Sequence, residues 1–542
     1  MKVRIKNLPV DLSDDRNLIE IAAAYLKIDA AKIRSLKIIR KATDARRYHG
    51  AGIKFNYILD VEFDGKINLA RDKNLEKVPA AKIFDFAKLP QNLKYPRPIV
   101  IGFGPAGMFA ALILARAGLE PLIFERGGDV DSRTKAVEKF FGTGELDKNS
   151  NVQFGEGGAG TFSDGKLTAR TNDILVDFVL ETFVKAGAPE EILYLHKPHI
   201  GTDKLRDVVK NIRREILNLG GQIYFNSQVT DLEFDASGKV TAVIVNNSER
   251  FLTGAIFMGV GHSARDTYEM LNRHGVAMEN KAFAVGVRIE HTQEFINRVQ
   301  YGADFENPKL AAADYFLTYK DISRGRGAYS FCMCPGGAVI AATSEIGGVV
   351  TNGMSNFARN SGVANSALLV TVDKADFKNF GGDVLSGVRF QRHFEKLAFE
   401  AGGKNYSAPV QSVGDFLNGR AECKNFLVNP TYPLGYKVAD LNKCLPAEVS
   451  ATLKDALNFW DNKIKNFAAS NVALTGIETR TSAPCRILRD KENFQSVSNA
   501  GLYPIGEGAG YAGGIMSSAI DGIKAAQNFI ISKEVDKPTL KY

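Results

Sequence analysis

The chain is 542 residues long, beyond what one hydrophobic core usually holds, and its 45% apolar and 24% charged residues are the balance of an ordinary soluble globular protein of two or three domains. Met1-Lys-Val-Arg-Ile lacks the apolar core of a signal peptide, and no stretch approaches the ~18 uncharged apolar residues of a membrane span, so a cytoplasmic protein without membrane contact is expected. Five cysteines, an odd and sparse set, argue against a disulfide-stapled secreted scaffold.

The net charge of +8 is unevenly placed: residues 1–97 hold 21 Lys and Arg against 12 Asp and Glu, a balance of +9. Within this segment Lys2 to Leu8 alternates polar and apolar, Asp15 to Leu26 has helical spacing, and Ser35 to Arg40 and Lys54 to Phe63 read as strands. The pattern predicts a small basic α+β module over residues 1–95, with the Pro-flanked, polar stretch Pro90 to Pro98 as the linker. A basic module suits nucleic acid, acidic protein or an anionic substrate, although at this density a solvated face is the commoner use. An RNA-modifying enzyme that holds RNA with this module therefore stands as an alternative function.

Pro98 to Ile101 is an apolar run suited to a buried parallel strand, and Gly102, Gly104 and Gly107 fill the positions of G-x-G-x-x-G, with Pro105 and Ala106 between them. An Ala-rich helical stretch follows, then a second strand, Pro121 to Phe124, ending at Glu125 and Arg126, the acid standing eighteen residues beyond the last glycine. Gly102 permits the tight turn, Gly104 lets the backbone approach a pyrophosphate, and Gly107 lets helix and strand pack closely. The helix N-terminus offers free N–H groups to the diphosphate, and Glu125 can accept from ribose hydroxyls. This unit accepts NAD or FAD alike.

Further along, Phe154 to Leu167 (FGEGGAGTFSDGKL) is too glycine-rich for regular structure, and the backbone N–H groups around Gly157, Gly158, Ala159 and Gly160 are expected to form an anion-binding nest. Ala255 to Leu271 contains Gly259-x-Gly261-x-x-Ala264 between a strand and a helix. No acid follows a second strand at the proper distance, so Gly261 is assigned to a turn that returns the chain to the same nucleotide domain, with an NAD(P) site as the minor alternative. From Lys281 to Val472 the βαβ rhythm is lost, which predicts a mixed α+β substrate domain over 281–472, inserted between the two parts, 96–280 and 473–542, of a split Rossmann-type domain. Gly501 to Gly522 (GLYPIGEGAGYAGGIMSSAIDG) then reads as a strand, Glu507 among glycines, and Gly513-Gly514 opening a small-residue helix at Ile515.

The last segment resembles the part of glutathione-reductase-type flavoproteins in which an acid binds the ribityl chain and a helix N-terminus faces the flavin, although those proteins usually carry Asp where Glu507 stands. That resemblance implies FAD, with Gly506, Glu507, Gly513, Gly514 and Ile515 at its flavin end, the 157–160 loop along the pyrophosphate and flavin, and Val229 holding the adenine through its backbone. Together with SFCMCPGG at Ser330, VTNGMSNFARNSGVANSALLV at Val350 and IETRTSAPCRILRD at Ile477, the glycine motifs resemble a bacterial family of FAD-dependent, or NAD(FAD)-utilizing, dehydrogenases over nearly the whole chain. The resemblance implies an FAD-dependent oxidoreductase acting on an unidentified small molecule, with NAD(P)H open as electron donor. A non-catalytic FAD-binding protein is the other alternative.

Flavin supplies hydride and one-electron chemistry itself, so the protein is left to provide position, charge and protons. Cys332 and Cys334, two residues apart in a strand, are expected on one face, as a thiol relay or as buried packing. Arg480 and Arg486 suit a substrate carboxylate or phosphate, with an ion pair at a domain boundary as the equal alternative. Lys166, beside the glycine loop, is a candidate to stabilise negative charge on reduced flavin. Asn352, Ser355, Arg359 and Asn365 form a further polar run that either lines a pocket or caps a turn. His262, His274 and His291 are scattered and no second Cys/His pair has ligand spacing, so no metal is expected.

Overall fold

The computed structural model describes residues 1–46, 52–80, 84, 86, 96–168 and 173–535. Of the linker Pro90 to Pro98, residues 90–95 lie outside the described residues. No described helix is long and apolar enough to cross a membrane.

The N-terminal module is an antiparallel sheet in the order Ile33–Asp44, Lys54–Phe63, Lys2–Asp11, Leu75–Lys77. In Lys54–Phe63 every second side chain, from Phe55 to Phe63, is buried, as a half-covered strand requires. The helix Leu18–Leu26 closes that face and starts on a capping box in which Asn17 and Glu20 satisfy each other's backbone N–H. The apolar core of the module is continuous with Ile296, Tyr301, Met333 and Ala364 of the inserted domain. The module is therefore packed onto the body of the protein.

Five short strands form an all-parallel sheet in the order Leu502–Pro504, Ile256–Met258, Ile99–Ile101, Leu122–Phe124, Gln222–Tyr224. Strands 99–101 and 256–258 are wholly buried, the pattern of a sheet covered on both faces. The helix Pro105–Arg116 begins with Pro at its first turn and continues largely in Ala, Leu and Met, good helix formers, with its residues buried from Ala106 to Ala115. It packs against the C-terminal helix Ile515–Val535, and a Cβ on Gly522 there would stand 2.1 Å from the Ala106 carbonyl oxygen. A small antiparallel meander, Val229–Phe234, Val240–Val245 and Glu249–Leu252, is appended.

The inserted domain is built on a seven-stranded mixed sheet in the order Thr318–Asp321, Arg326–Cys334, Val363–Val372, Phe283–Thr292, Ala473–Glu478, Ala408–Ser412, Tyr436–Val438. All pairs are antiparallel except the last, and the helices Ser386–Ala401 and Ala447–Lys463 add Phe390 and Trp460 to its core. The sheet corrects one boundary: residues 473–478, assigned from the sequence to the returning Rossmann-type part, pair with Phe283–Thr292 inside the inserted sheet. An apolar strand carries the same pattern in either sheet, and only its partner distinguishes them.

Candidate functional site

The carboxyl ends of the parallel strands open into one cavity of about 1510 Å³ that runs under the inserted sheet. Its nucleotide end is built by glycines. Gly102 has φ 87°, and a Cβ there would lie 2.5 Å from the Gly259 carbonyl oxygen. A Cβ on Gly107 would lie 2.0 Å from that of Gly102. These two glycines let three backbones converge, and Gly102 and Gly104 both line the cavity, Gly104 facing the backbone of Gly158. Gly104 caps the helix Pro105–Arg116 without any side-chain hydrogen bond, and Pro105 has no N–H, so the first free N–H groups, from Ala106 on, are left for a ligand.

Glu125 lines the cavity and is 4% exposed. Its carboxylate accepts the N–H groups of Phe103 at 2.8 Å, Gly127 at 2.9 Å and Gly155 at 3.0 Å, knotting three loops together. Arg126 pairs with Asp266, both bonds at 3.0 Å, and lies 4.3 Å over the Phe154 ring. Val229 is buried in the wall beside them.

Gly158, Ala159 and Gly160 line the cavity, but Gly157 turns inward, its Cβ direction ending 2.1 Å from the Thr161 hydroxyl oxygen. Gly506, at φ 74°, is likewise a packing glycine, set against Ala106 behind the wall, and Gly261 lines the cavity at φ 76°. Glu507 faces the cavity and accepts the Gly514 N–H at 3.4 Å, and burial pushes its carboxyl up to about 7. A Cβ on Gly513 or Gly514 would meet nothing within 4 Å, so the backbone before Ile515 faces open space. The residues present fit FAD: an uncapped helix N-terminus, a glycine trough and an acid with a second open helix start lie along one cavity, larger than the ~300–1,000 Å³ of a drug-sized ligand site.

The opposite end of the cavity is organised by Arg288, which sequence reasoning missed. Fully buried, its guanidinium donates to Glu478 at 2.5 and 3.1 Å, the Asn352 side chain at 2.9 Å, the Asn365 side chain at 2.9 Å and the Cys332 carbonyl at 3.0 Å. Glu478, buried in the wall, has its carboxyl pushed up to about 7 by burial, against the pull of Arg288. Asn352 and Asn365 thus support Arg288. Ser355 and Arg359, from the same polar run, both donate to Asp164 at the end of the glycine loop. A charged residue inside an apolar strand, as in FAVGVRIEH, was the available signal.

Cys332 and Lys166 line this end, and the Lys166 ammonium donates to the Met333 carbonyl. Cys334 lies behind the wall, fully buried, with its thiol 3.2 Å from the Cys332 carbonyl oxygen. The two thiols are not placed by regular strand alternation: the register shifts between Phe331 and Cys334, and Cys332 has φ 42°. The Cys334 thiol turned toward Cys332 holds the Cys332 thiol well below the ordinary range, aided by Arg288 and Lys166, while Cys334 is driven up.

Two arginines depart from expectation. Arg480 touches the cavity, but it is 6% exposed and bound to Glu395 at 2.9 and 3.1 Å and to the Ser344 hydroxyl, in a buried cluster with Arg265 and Glu345. Arg486 lies outside the cavity wall and pairs with Glu279 at 2.9 Å between two short strands. Arg480 thus ties the segment after Ala473–Glu478 to the helix Ser386–Ala401, and Arg486 joins the two parts of the split Rossmann-type domain.

The mouth of the cavity is shared with the N-terminal module. The Lys41 N–H donates to the Tyr194 carbonyl at 2.7 Å and the His196 N–H to the Lys41 carbonyl at 2.9 Å, so the edge strand of the module is stitched to the segment that leads to His199. Lys41 and Thr43 line the mouth together with Phe316 and Phe331, which are 63% and 42% exposed.

Fold and site together define a split Rossmann-type FAD-binding domain carrying an inserted domain. Residues 282–481 match the family described as "FAD-dependent protein, C-terminal domain-like", and residues 2–62 match a domain of unknown function, DUF8436. An uncharacterized protein of Clostridium beijerinckii is 49% identical over 540 residues, covering 99% of this chain and 100% of that one, and the chain belongs to the same family as that protein. Among solved structures, the flavin-dependent brominase Bmp2 aligns at 14% identity with a TM-score of 0.35, covering 81% of this chain and 80% of that one. Glycerol-3-phosphate dehydrogenase from Bacillus halodurans complexed with FAD aligns at 14% and 0.34, covering 82% and 66%, and glycine oxidase from Geobacillus kaustophilus at 10% and 0.32, covering 82% and 96%.

Proposed function

We propose that the protein is an FAD-dependent oxidoreductase acting on a small molecule that enters past Phe316 and Phe331. The observation that carries this reading is the continuity of one cavity from Glu125, through Gly104 and Gly514, to Cys332, Lys166 and Glu478. Flavin, when bound, supplies the hydride or single-electron transfer. The chain supplies the rest. Glycine backbones and helix N-termini take the diphosphate, Glu125 stands at the ribose end, and the inserted sheet covers the reactive end from water. Glu478, with its carboxyl near neutrality, holds or releases a proton at the cavity wall. The packed position of the N-terminal module supports a role as cavity wall more than as an RNA-holding arm.

The test is to purify the full chain, record its visible spectrum, identify the cofactor released by denaturation, and follow anaerobic bleaching with NADH, NADPH and a metabolite panel. A yellow protein that releases FAD and is bleached by a small molecule is expected. A protein that neither carries nor takes up FAD overturns the reading.

A further inference from the structure

At the end of the strand Arg326–Cys334, Phe331 pairs with Ala367 but Cys334 with Asn365, so one extra residue bulges between them. In a regular strand, residues two apart are ~6.6–6.8 Å apart, the outer edge of the ~4.4–6.8 Å that separates disulfide-bonded Cα atoms. The bulge, with Cys332 at φ 42°, breaks that regular spacing, and the Cys334 thiol lies 3.2 Å from the Cys332 carbonyl oxygen.

The two thiols are also unequal. Cys332 is half-buried and lines the cavity, whereas Cys334 is sealed behind it; a Cβ on Gly353 would lie 2.8 Å from the Cys334 sulfur and 2.4 Å from the Arg288 guanidinium. Arg288 grips the Cys332 carbonyl at 3.0 Å and Lys166 grips that of Met333, so two cations hold the backbone of the bulge. One thiol lining the cavity and one shielded thiol two residues on, turned back toward the same residue, are the parts of an attacking and resolving pair.

We infer that Cys332 and Cys334 form a dithiol/disulfide couple at the reactive end of the cavity, with small disulfides as the substrate class. This rests on the FAD-dependent reading for the supply of electrons and not for the thiol chemistry. The Cys332 thiolate attacks a disulfide RSSR, forming Cys332–S–S–R and releasing RS⁻, which takes a proton from solvent. Cys334 then attacks the Cys332 sulfur and its proton leaves with the second RSH, so the protein holds a disulfide and the substrate has gained two electrons. The disulfide so formed would be returned to the Cys332 thiolate and the Cys334 thiol by two electrons and one proton, which reduced flavin would supply when bound.

The purified full chain is incubated anaerobically with glutathione disulfide, quenched in acid, alkylated and analysed by peptide mass. Loss of two hydrogens from the peptide containing Cys332 and Cys334 is expected, with release of two thiols per chain. Cys334→Ser should trap a glutathione adduct on Cys332, and Cys332→Ser should give neither product. A parent chain that stays fully alkylated, or a Cys334→Ser variant without adduct, overturns the couple. The readout does not require flavin, so a colourless chain that still forms the disulfide sinks only the flavin reading. A flavin-loaded chain with inert thiols sinks only the couple.

Discussion

Gly107 lies so close beneath Gly102 that a Cβ on it would stand 2.0 Å from the Gly102 carbonyl oxygen and 3.2 Å from a Val100 methyl. The first obstacle is backbone and cannot rotate away. Gly107→Ala is therefore expected to push the helix Pro105–Arg116 off the strand Ile99–Ile101. Overpacking of this kind costs ~1–3 kcal/mol, and the displaced helix start should also hold FAD less well. Thermal melting together with flavin retained after gel filtration reads both effects; unchanged retention would show that this contact does not position the nucleotide site.

Arg480 and Arg486 separate a buried ion pair from a surface one. Removing Arg480 leaves Glu395, 2% exposed, with Arg265 and Thr479 but without its second guanidinium. Loss of one partner from a buried pair costs ~3–5 kcal/mol, whereas Arg486 and Glu279 are both more than a third exposed, and such pairs contribute ~0–1 kcal/mol. Urea midpoints of Arg480→Ala and Arg486→Ala should differ accordingly, and equal midpoints would contradict the assignment.

Alkylation kinetics should single out Cys332. Its thiol is held below the ordinary range by Cys334, Arg288 and Lys166, while burial pushes Cys444 up to about 12. An ordinary thiol gains reactivity toward iodoacetamide up to its pKa near 8.5. Cys332 should already react at its plateau rate at neutral pH and slow only in acid, as peptide mapping across pH will show. A rate still rising between pH 7 and 9 would mean that the thiolate is not stabilised.

Glu156, buried in the glycine loop, accepts the Val130 N–H at 2.7 Å and Arg213 at 3.1 Å, yet burial raises its carboxyl to about 7. Between the ordinary carboxyl pKa and that value the folded state holds a proton that the unfolded chain has released. This contribution is present in full at low pH and is lost as pH rises toward 7. Glu156→Gln should flatten the corresponding fall in stability between pH 5 and 7, measured by chemical denaturation at several pH values. A variant with the parent's pH slope would assign the fall to other groups.

Deleting residues 1–80 should uncover Ile296, Tyr301, Met333 and Ala364, which share a core with the N-terminal module. The shortened chain is expected to bind a hydrophobic dye and aggregate. A monodisperse, dye-free product with its flavin retained would instead mark the module as an independent arm.

The glycines at 102, 104 and 107 with Glu125 were legible in sequence because each acts inside one βαβ unit, where spacing along the chain determines spacing in space. Glu507 with Gly513-Gly514 could be read only through the resemblance of Gly501 to Gly522 to a flavoprotein segment. The mixed inserted domain was recognisable only as lost periodicity, and its strand 473–478 was misassigned because an apolar run does not name its neighbour. Gly157 and Gly506 carry the same local signal as Gly158 and Gly514, yet only the folded backbone turns the first pair inward. The reactive end was decided by tertiary structure: Arg288 meets Glu478 across 190 residues, and Arg480 meets Glu395 across 85. A charge deep in a protein is tolerable only with its partners, and those partners are assembled by sheet order and helix packing, not by local sequence.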